Sequence, residues 1–291
     1  MACSAATAVV IAGCSGTTAP VEEAAMPDFP AAAAHRIVYS GAADSGGALF
    51  GLDLDTGASV QLTASMEYAE FPVWSPDGGH IVFLGEGEAG AGLLALDAVT
   101  GMVELLMADL GEPVDFSPSG AALVFMADSE SGGRGLVAHD IANATNTPFD
   151  TGSEADAYAR WSKADNALVF ESSRDGNPEI YRHEIDAGTT TRLTDNGELD
   201  EWPSPSPDGN WIAWASGSEE VKDLWIMRSD GTEKRQLSDG VLFGDAFAEW
   251  SPDGAEILLS ARDDEGSALF LVNLASGEMR RVTAGSAAAW R

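Results

Sequence analysis

Apolar residues in this chain come in short runs of three to five, and polar turns separate them at close intervals. Blade-like order is clearest over residues 202–238. A short strand, 202–205, precedes the turn Ser206-Pro207-Asp208-Gly209. The run Trp211-Ile212-Ala213-Trp214 follows, then a polar loop, then Leu224-Trp225-Ile226-Met227. An Asp230-Gly231 turn leads to a last short strand, 235–238. Runs of this length bounded by Gly, Asp, Ser and Pro read as strands, and no helical period competes with them.

The pattern repeats. Aligned on the turn serine, copies begin at Ser75, Ser117, Ser162, Ser206 and Ser251, with spacings of 42, 45, 44 and 45 residues. Such a period in a strand-rich chain predicts propeller blades of four strands. The turn letters have a physical reason. Serine can bond nearby backbone, proline presets φ, aspartate suits the third position, and glycine accepts the left-handed conformation. The aromatic before the turn (Trp74, Phe116, Trp161, Trp250) is expected between neighbouring blades.

Five turns do not complete the count. Trp290 follows Trp250 by 40 residues, where a sixth first strand belongs. Residues 36–40, 49–53 and 60–63 match the second, third and fourth strands of a blade. The expected fold is therefore all-β: a six-bladed β-propeller of four-stranded antiparallel blades over residues 35–291. Its last blade is closed by one C-terminal and three N-terminal strands, which removes the open edge.

Two segments, Ser173–Asp195 followed by SPDG and Asp223–Gly240, resemble the repeats of the TolB-type β-propeller family (WD40-like, or PD40, repeats). The likeness covers about 250 residues, the whole folded part. It implies the propeller fold more strongly than any one activity, because such rings also occur in oligopeptidases, sugar lyases and binding proteins. It implies a protein partner at the bacterial envelope, since TolB-type propellers bind envelope proteins, including a peptidoglycan-associated lipoprotein. TolB itself carries an additional N-terminal α/β domain. The residues before Arg36 leave no room for one, so a propeller on a tether is expected.

The N-terminus carries its own pattern. Residues 5–13 form an apolar run of signal-peptide length, too short to span a bilayer. Ile11-Ala12-Gly13-Cys14 resembles the lipobox of bacterial lipoproteins. That resemblance implies a signal peptide at 1–13, a lipid on Cys14, and export to the periplasmic side or the cell surface. No Lys or Arg precedes the run, so the natural start is expected upstream of Met1. Residues 15–34, rich in Ala, Pro, Thr and Glu, read as a disordered tether.

Charge narrows the partners. With 47 acidic and 15 basic residues the formal net charge is −32. Nucleic acid is excluded as a partner, because phosphate binding needs Lys and Arg. The membrane is met only through the lipid anchor. There are only three lysines, Lys163, Lys222 and Lys234. An acidic, lysine-poor surface stays soluble at high salt, where self-repulsion is screened. The two cysteines, Cys3 and Cys14, precede every strand and cannot staple the fold.

Catalytic motifs are scarce. Gly85-Glu86-Gly87-Glu88-Ala89-Gly90 matches G-x-G-x-x-G, but a strand follows it and its glutamates would repel phosphate, so it reads as a hairpin loop. His35, His80, His139 and His183 are scattered, with the last two on third strands of different blades. The family's oligogalacturonate lyases use a His-rich metal site, which these positions do not supply. No catalytic residue is assigned.

One constellation remains. Glu70, Glu112, Asp156, Asp200, Glu201 and Asp245 lie just before the first strands, in inter-blade loops near the axis. They are expected to converge on one channel mouth. There they would form a solvated acidic rim, or hold Ca²⁺ or a basic segment of a partner. The sequence reading is a non-catalytic, monomeric envelope lipoprotein that binds protein and needs no cofactor. A polysaccharide-active propeller enzyme is one alternative. A glycan or small-ligand receptor is another, favoured if Phe71, Tyr158 and Trp202 are exposed at the channel.

Overall fold

The computed structural model describes residues 36–44, 46–64, 66–108, 110, 115–128, 134–238, 242–243 and 248–291. Its strands are β1 (Arg36–Ala43), β2 (Gly46–Asp53) and β3 (Ser59–Gln61), then five blades in chain order. Blade 1 is β4 (Tyr68–Trp74), β5 (His80–Gly87), β6 (Gly90–Asp97) and β7 (Val103–Ala108). Blade 2 is β8 (Asp115–Phe116), β9 (Ala122–Asp128), β10 (Arg134–Asp140) and β11 (Thr145–Pro148). Blade 3 is β12 (Asp156–Ser162), β13 (Ala167–Ser172), β14 (Glu179–Glu184) and β15 (Thr189–Arg192). Blade 4 is β16 (Leu199–Pro205), β17 (Trp211–Gly217), β18 (Lys222–Arg228) and β19 (Arg235–Gln236). Blade 5 has its first strand in two pieces, β20 (Leu242–Phe243) and β21 (Glu249–Trp250), before β22 (Glu256–Asp263), β23 (Gly266–Asn273) and β24 (Met279–Ala284).

Blade 6 closes the ring as the sequence predicts. Its order is β25 (Ser286–Trp290), β1, β2, β3. β25 pairs antiparallel with β1, placing Ile37 against Trp290 and Val38 against Ala289. The first and last strands therefore share one ladder, which covers the edge of β1 and leaves β25 as the innermost strand of its blade.

Burial follows position in the blade. Second and third strands, such as β5, β13 and β17, are buried along almost their whole length. Both of their faces meet a neighbouring blade, so they read as continuous apolar runs instead of alternating ones. Fourth strands, such as β3, β11 and β19, are exposed and polar.

Six apolar clusters fill the six seams. Val38, Leu49, Trp74 and Ile81 join blade 6 to blade 1, and Val124, Trp161 and Leu168 join blade 2 to blade 3. The aromatic before each turn serves this packing: Trp74, Phe116, Trp161, Trp250 and Trp290 are all buried. Blade 4 has Pro205 at that position, and the seam between blades 3 and 4 is filled by Trp214, Ile212 and Met227.

The SPDG turn is a small hydrogen-bond device. Ser206 Oγ donates to Asp208 Oδ1 at 2.6 Å and accepts the Trp211 amide at 3.0 Å. Asp208 Oδ1 also accepts the Asn210 amide at 3.0 Å. Gly209 closes the turn at φ 70°, a conformation that costs glycine little. The turns at Ser75 and Ser251 repeat these bonds. These bonds hold the Asp77 and Asp208 carboxyls below their ordinary pKa, the serine hydroxyl contributing most in each. The G-x-G-x-x-G segment is, as expected, the β5–β6 hairpin, with Gly87 opposite Gly90.

Candidate functional site

The first strands of blades 1, 3 and 4 are longer than the sequence suggests, and they and β25 each carry a β-bulge. Register shifts fall between Glu70 and Val73, Ala157 and Arg160, and Glu201 and Ser204. Within them Phe71, Tyr158 and Trp202 adopt φ of 51°, 49° and 52°. Left-handed backbone is uncommon for bulky residues and persists only where the surroundings enforce it. All three stand four residues before the turn serine, and Ala287 of β25 repeats the feature at φ 38°.

The bulge frees an amide, and the preceding blade takes it. The Trp202 amide donates to Glu171 Oε2 at 3.0 Å, and the Ala287 amide to Ser260 Oγ at 2.9 Å. The three bulge aromatics are half-buried. Phe71 packs on the cluster between blades 1 and 2, and Lys222 Nζ lies 5.8 Å from the centre of the Trp202 ring.

The strands extend past the bulge, and this corrects the placement of the acidic residues. Glu70, Asp156, Asp200 and Glu201 lie inside β4, β12 and β16, not in the loops before them. Glu112 and Asp245 lie outside the described residues, as does Cys14. The four described carboxylates do not share one environment. Asp156 is fully buried and takes Arg174 Nη2 at 2.7 and 2.8 Å, with Thr151 Oγ1 at 2.5 Å. Asp200 is 0% exposed and accepts Asn196 Nδ2 at 2.7 Å. Burial raises its pKa, opposed by the nearby Ser216, Thr194, Trp214 and Asn196, although Oδ1 makes no well-formed hydrogen bond. Glu201 is paired with Lys222 at 2.9 Å. Glu70 alone is exposed.

Sequence reading missed the cations that answer these acids. Arg174 pairs with Asp156, Lys222 with Glu201, and Arg192 with the buried Glu179 at 2.9 Å. Lys222 heads a third strand opposite Gly217, and its scarcity as a lysine was the available signal. Glu171 was missed as well. It is 8% exposed, and burial pushes its pKa up to about 8, opposed by the Trp202 amide and Lys222 and supported by Glu201. It is thus a carboxyl that keeps its proton near neutral pH.

The side of blade 1 facing blade 6 is different. A groove of about 690 Å³ crosses it, lined by Phe50, Tyr68, Glu67, Glu70 and Ser40 among others. Glu67 and Glu70 are exposed, and among the described residues no cation pairs with either. Burial first, then Glu86, Glu70 and Glu67, raise the Tyr68 pKa. The Ser40 hydroxyl is buried and has no hydrogen-bond partner.

The described histidines do not converge. His139 and His183 lie on third strands, bonded to Asn146 and Thr190, and burial lowers the His183 pKa. Among the described residues no three His, Cys, Asp or Glu side chains are placed to hold one metal ion.

With the blades and first strands placed, comparison with known proteins decides the family. The model of the TolB beta propeller domain (PD40) matches residues 34–281. The chain belongs to the TolB β-propeller family. An uncharacterised protein of Agrobacterium fabrum is 30% identical over 203 residues, covering 68% of this chain and 67% of that one. A TolB homolog of Chlorobaculum tepidum is 31% identical over 120 residues, 40% of this chain and 27% of that one. Crystalline TolB from Acinetobacter baumannii superposes with a TM-score of 0.75 at 22% identity, covering 88% of this chain and 66% of that one. This TolB-like chain thus spans about two thirds of that TolB's length. The same fold carries enzymes, among them an oligogalacturonate lyase in complex with manganese, at a TM-score of 0.56 and 16% identity.

Proposed function

We propose that this TolB-like propeller is a non-catalytic binding scaffold of the bacterial cell envelope. It is held to a membrane by a lipid on Cys14 and receives a basic segment of a protein partner on the bulge side of the ring. One observation carries the reading: Glu67 and Glu70 stand exposed beside Tyr68 and Phe50, with no described cation against them. Complementary charge steers association and sets partner choice, and aromatic side chains supply contact area. Glu112 and Asp245 extend the same acidic face in this reading. Asp156, Asp200 and Glu201 serve it from within, as wall. A cation such as Ca²⁺ would need several oxygen ligands at one point. Glu70 with Glu112 or Asp245 is the arrangement that would offer them.

In-cell crosslinking of the lipidated protein, followed by mass spectrometry, tests the proposal. The Glu67→Lys, Glu70→Lys double variant is expected to lose the main crosslinked partner. Cys14→Ala is expected to leave the membrane fraction. An unchanged set of crosslinked proteins in the charge-reversed variant would overturn the assignment of this face.

A further inference from the structure

The hairpins that join third to fourth strands lie at the SPDG end of the ring, and those of blades 1, 5 and 6 are built alike. In blade 1, Asp97 Oδ1 accepts the Val99 and Thr100 amides at 2.9 and 2.7 Å. Asp53 in blade 6 takes the Asp55 and Thr56 amides, and Asn273 in blade 5 takes those of Ala275 and Ser276. The glycine amide four residues on (Gly101, Gly57 or Gly277) donates to the carbonyl of the capping residue. The backbones agree, but the side chains do not. Where blade 6 has Asp55 and Ala58, and blade 5 has Ala275 and Glu278, blade 1 has Val99 and Met102.

Among the described residues these are the most exposed large apolar side chains, Val99 at 82% and Met102 at 50%. Leu105, on β7 of the same hairpin, is exposed as well. β7 is mostly apolar, whereas the outer strands β11, β15 and β19 are polar. The capped turn fixes the tip, so little further order is lost when it is buried. On the same blade a pocket of about 260 Å³ opens between the turn at Ser75 and its copy in blade 2. Val82, Leu106, Phe116 and Ile141 line it, and so do Asp77 and His80.

This end of the ring is also where the chain enters it. β1 begins at Arg36, and Ile37 is paired with Trp290. Arg291 reaches the carbonyls of Asp77 and Gly78 in the blade 1 turn, at 3.2 and 3.4 Å. The Ala98 amide donates to the carbonyl of Gly79 beside that turn at 2.8 Å. One SPDG turn thus connects the entry of the chain to the apolar tip. Cys14 lies 22 residues before Arg36, so a lipid there pulls on the ring from this end.

We propose that the β6–β7 tip of blade 1, Val99 and Met102 with Leu105, dips into the interfacial layer of a lipid bilayer and turns the SPDG end of the ring toward the membrane. The inference rests on the Cys14 anchor of the proposed function and adds to it. The membrane is met by the fold as well as by the lipid, and Glu67 and Glu70 face away from it, toward a partner. Attachment of this kind scales with the apolar area buried. The surface is zwitterionic, because anionic headgroups repel a chain with a formal net charge of −32.

Photolabelling tests this. The full chain, carrying an N-terminal histidine tag, is captured on vesicles of phosphatidylcholine and phosphatidylethanolamine. These vesicles contain a nickel-chelating lipid and a diazirine phospholipid, so capture does not depend on lipidation of Cys14. Peptides covering 97–108 are expected to carry at least about fivefold more label than those covering 273–278 of blade 5. Val99→Asp with Met102→Glu supplies the acids found at these positions in the sister hairpins. It is expected to abolish the excess, and an unchanged thermal midpoint checks that the ring is intact. Equal labelling of the two hairpins, or an excess that survives the double variant, overturns the proposal. It is overturned equally if the tip crosslinks in cells to a protein and not to lipid, or if the chain forms a dimer that the double variant dissolves. Failure of the anchor reading shows separately, as a Cys14→Ala chain that stays in the membrane fraction.

Discussion

The seam between blades 3 and 4 and the seam between blades 6 and 1 solve the same packing problem with opposite electrostatics. In the blades that flank the first, Asp156 is matched by Arg174, Glu179 by Arg192 and Glu201 by Lys222, Glu171 is set to hold a proton, and Asp200 is buried with no described cation against it. At the second, Glu67 and Glu70 have no described counter-charge, and the Ser40 hydroxyl has no bond. Both seams are apolar inside. The difference teaches that charge neutralisation is not required for a blade to dock. Where it occurs it accompanies burial, and where it is missing the acids stay exposed to solvent.

The comparison breaks most visibly at Arg174. Arg174→Met strands the buried Asp156 carboxylate, and a loss of about 3–5 kcal/mol is expected in urea unfolding. A loss below about 1 kcal/mol would show that the pair contributes no more than a surface bridge. On the other seam, Trp74→Ala removes a buried indole that touches both blades. Its cost is expected at about 3–5 kcal/mol as well, because the cavity cannot collapse across two rigid sheets.

Glu171 adds a dependence on pH to the first seam. Its native pKa of about 8 lies above its ordinary value, so the folded state holds a proton that the unfolded chain has released. Stability attributable to this group falls as pH rises from about 4.5 to 8, by an amount on the order of a few kcal/mol. Glu171→Gln keeps an acceptor for the Trp202 amide and removes the titration. Urea midpoints at pH 5 and pH 8 are expected to differ less in this variant than in the parent. Asp77 and Asp208 act in the reverse sense. Their lowered pKa values add stability that is present above the ordinary carboxylate range and lost as pH falls through the native values.

The smallest stability effect is expected at the second seam. Glu67→Gln with Glu70→Gln should shift the unfolding free energy by no more than about 0.5 kcal/mol, in the stabilising direction, because two neighbouring like charges are removed. A large loss there would mean that these acids have structural partners after all.

Most of the ring was legible in the letters, for a definite reason. Serine, proline, aspartate and glycine at one spacing admit very few backbone paths, and Trp290 counted forward from Trp250 located the closing strand. The bulge was hidden. Phe71, Tyr158 and Trp202 share no side-chain chemistry that announces left-handed backbone, and only their common distance from the serine marks them. Missing the bulge moved the acidic residues into loops and concealed that Asp156 and Asp200 are buried. The ion pairs were hidden because their partners lie elsewhere in the blade, as with Arg174 in the β13–β14 turn, 18 residues beyond Asp156.

The pairing of Ile37 with Trp290 has a consequence for synthesis. Strands β1 to β3 emerge before the other strands of the ring, yet the ladder on the inner side of β1 is built from residues made after all of them. While five complete blades accumulate, Ile37, Val38 and Tyr39 wait with one row of backbone groups unanswered, an adhesive edge on a growing chain. Joining partners this distant carries a larger loop-closure entropy than pairing within any other blade. The ring is thus built like a bracelet, whose clasp can close only when the last strand is available.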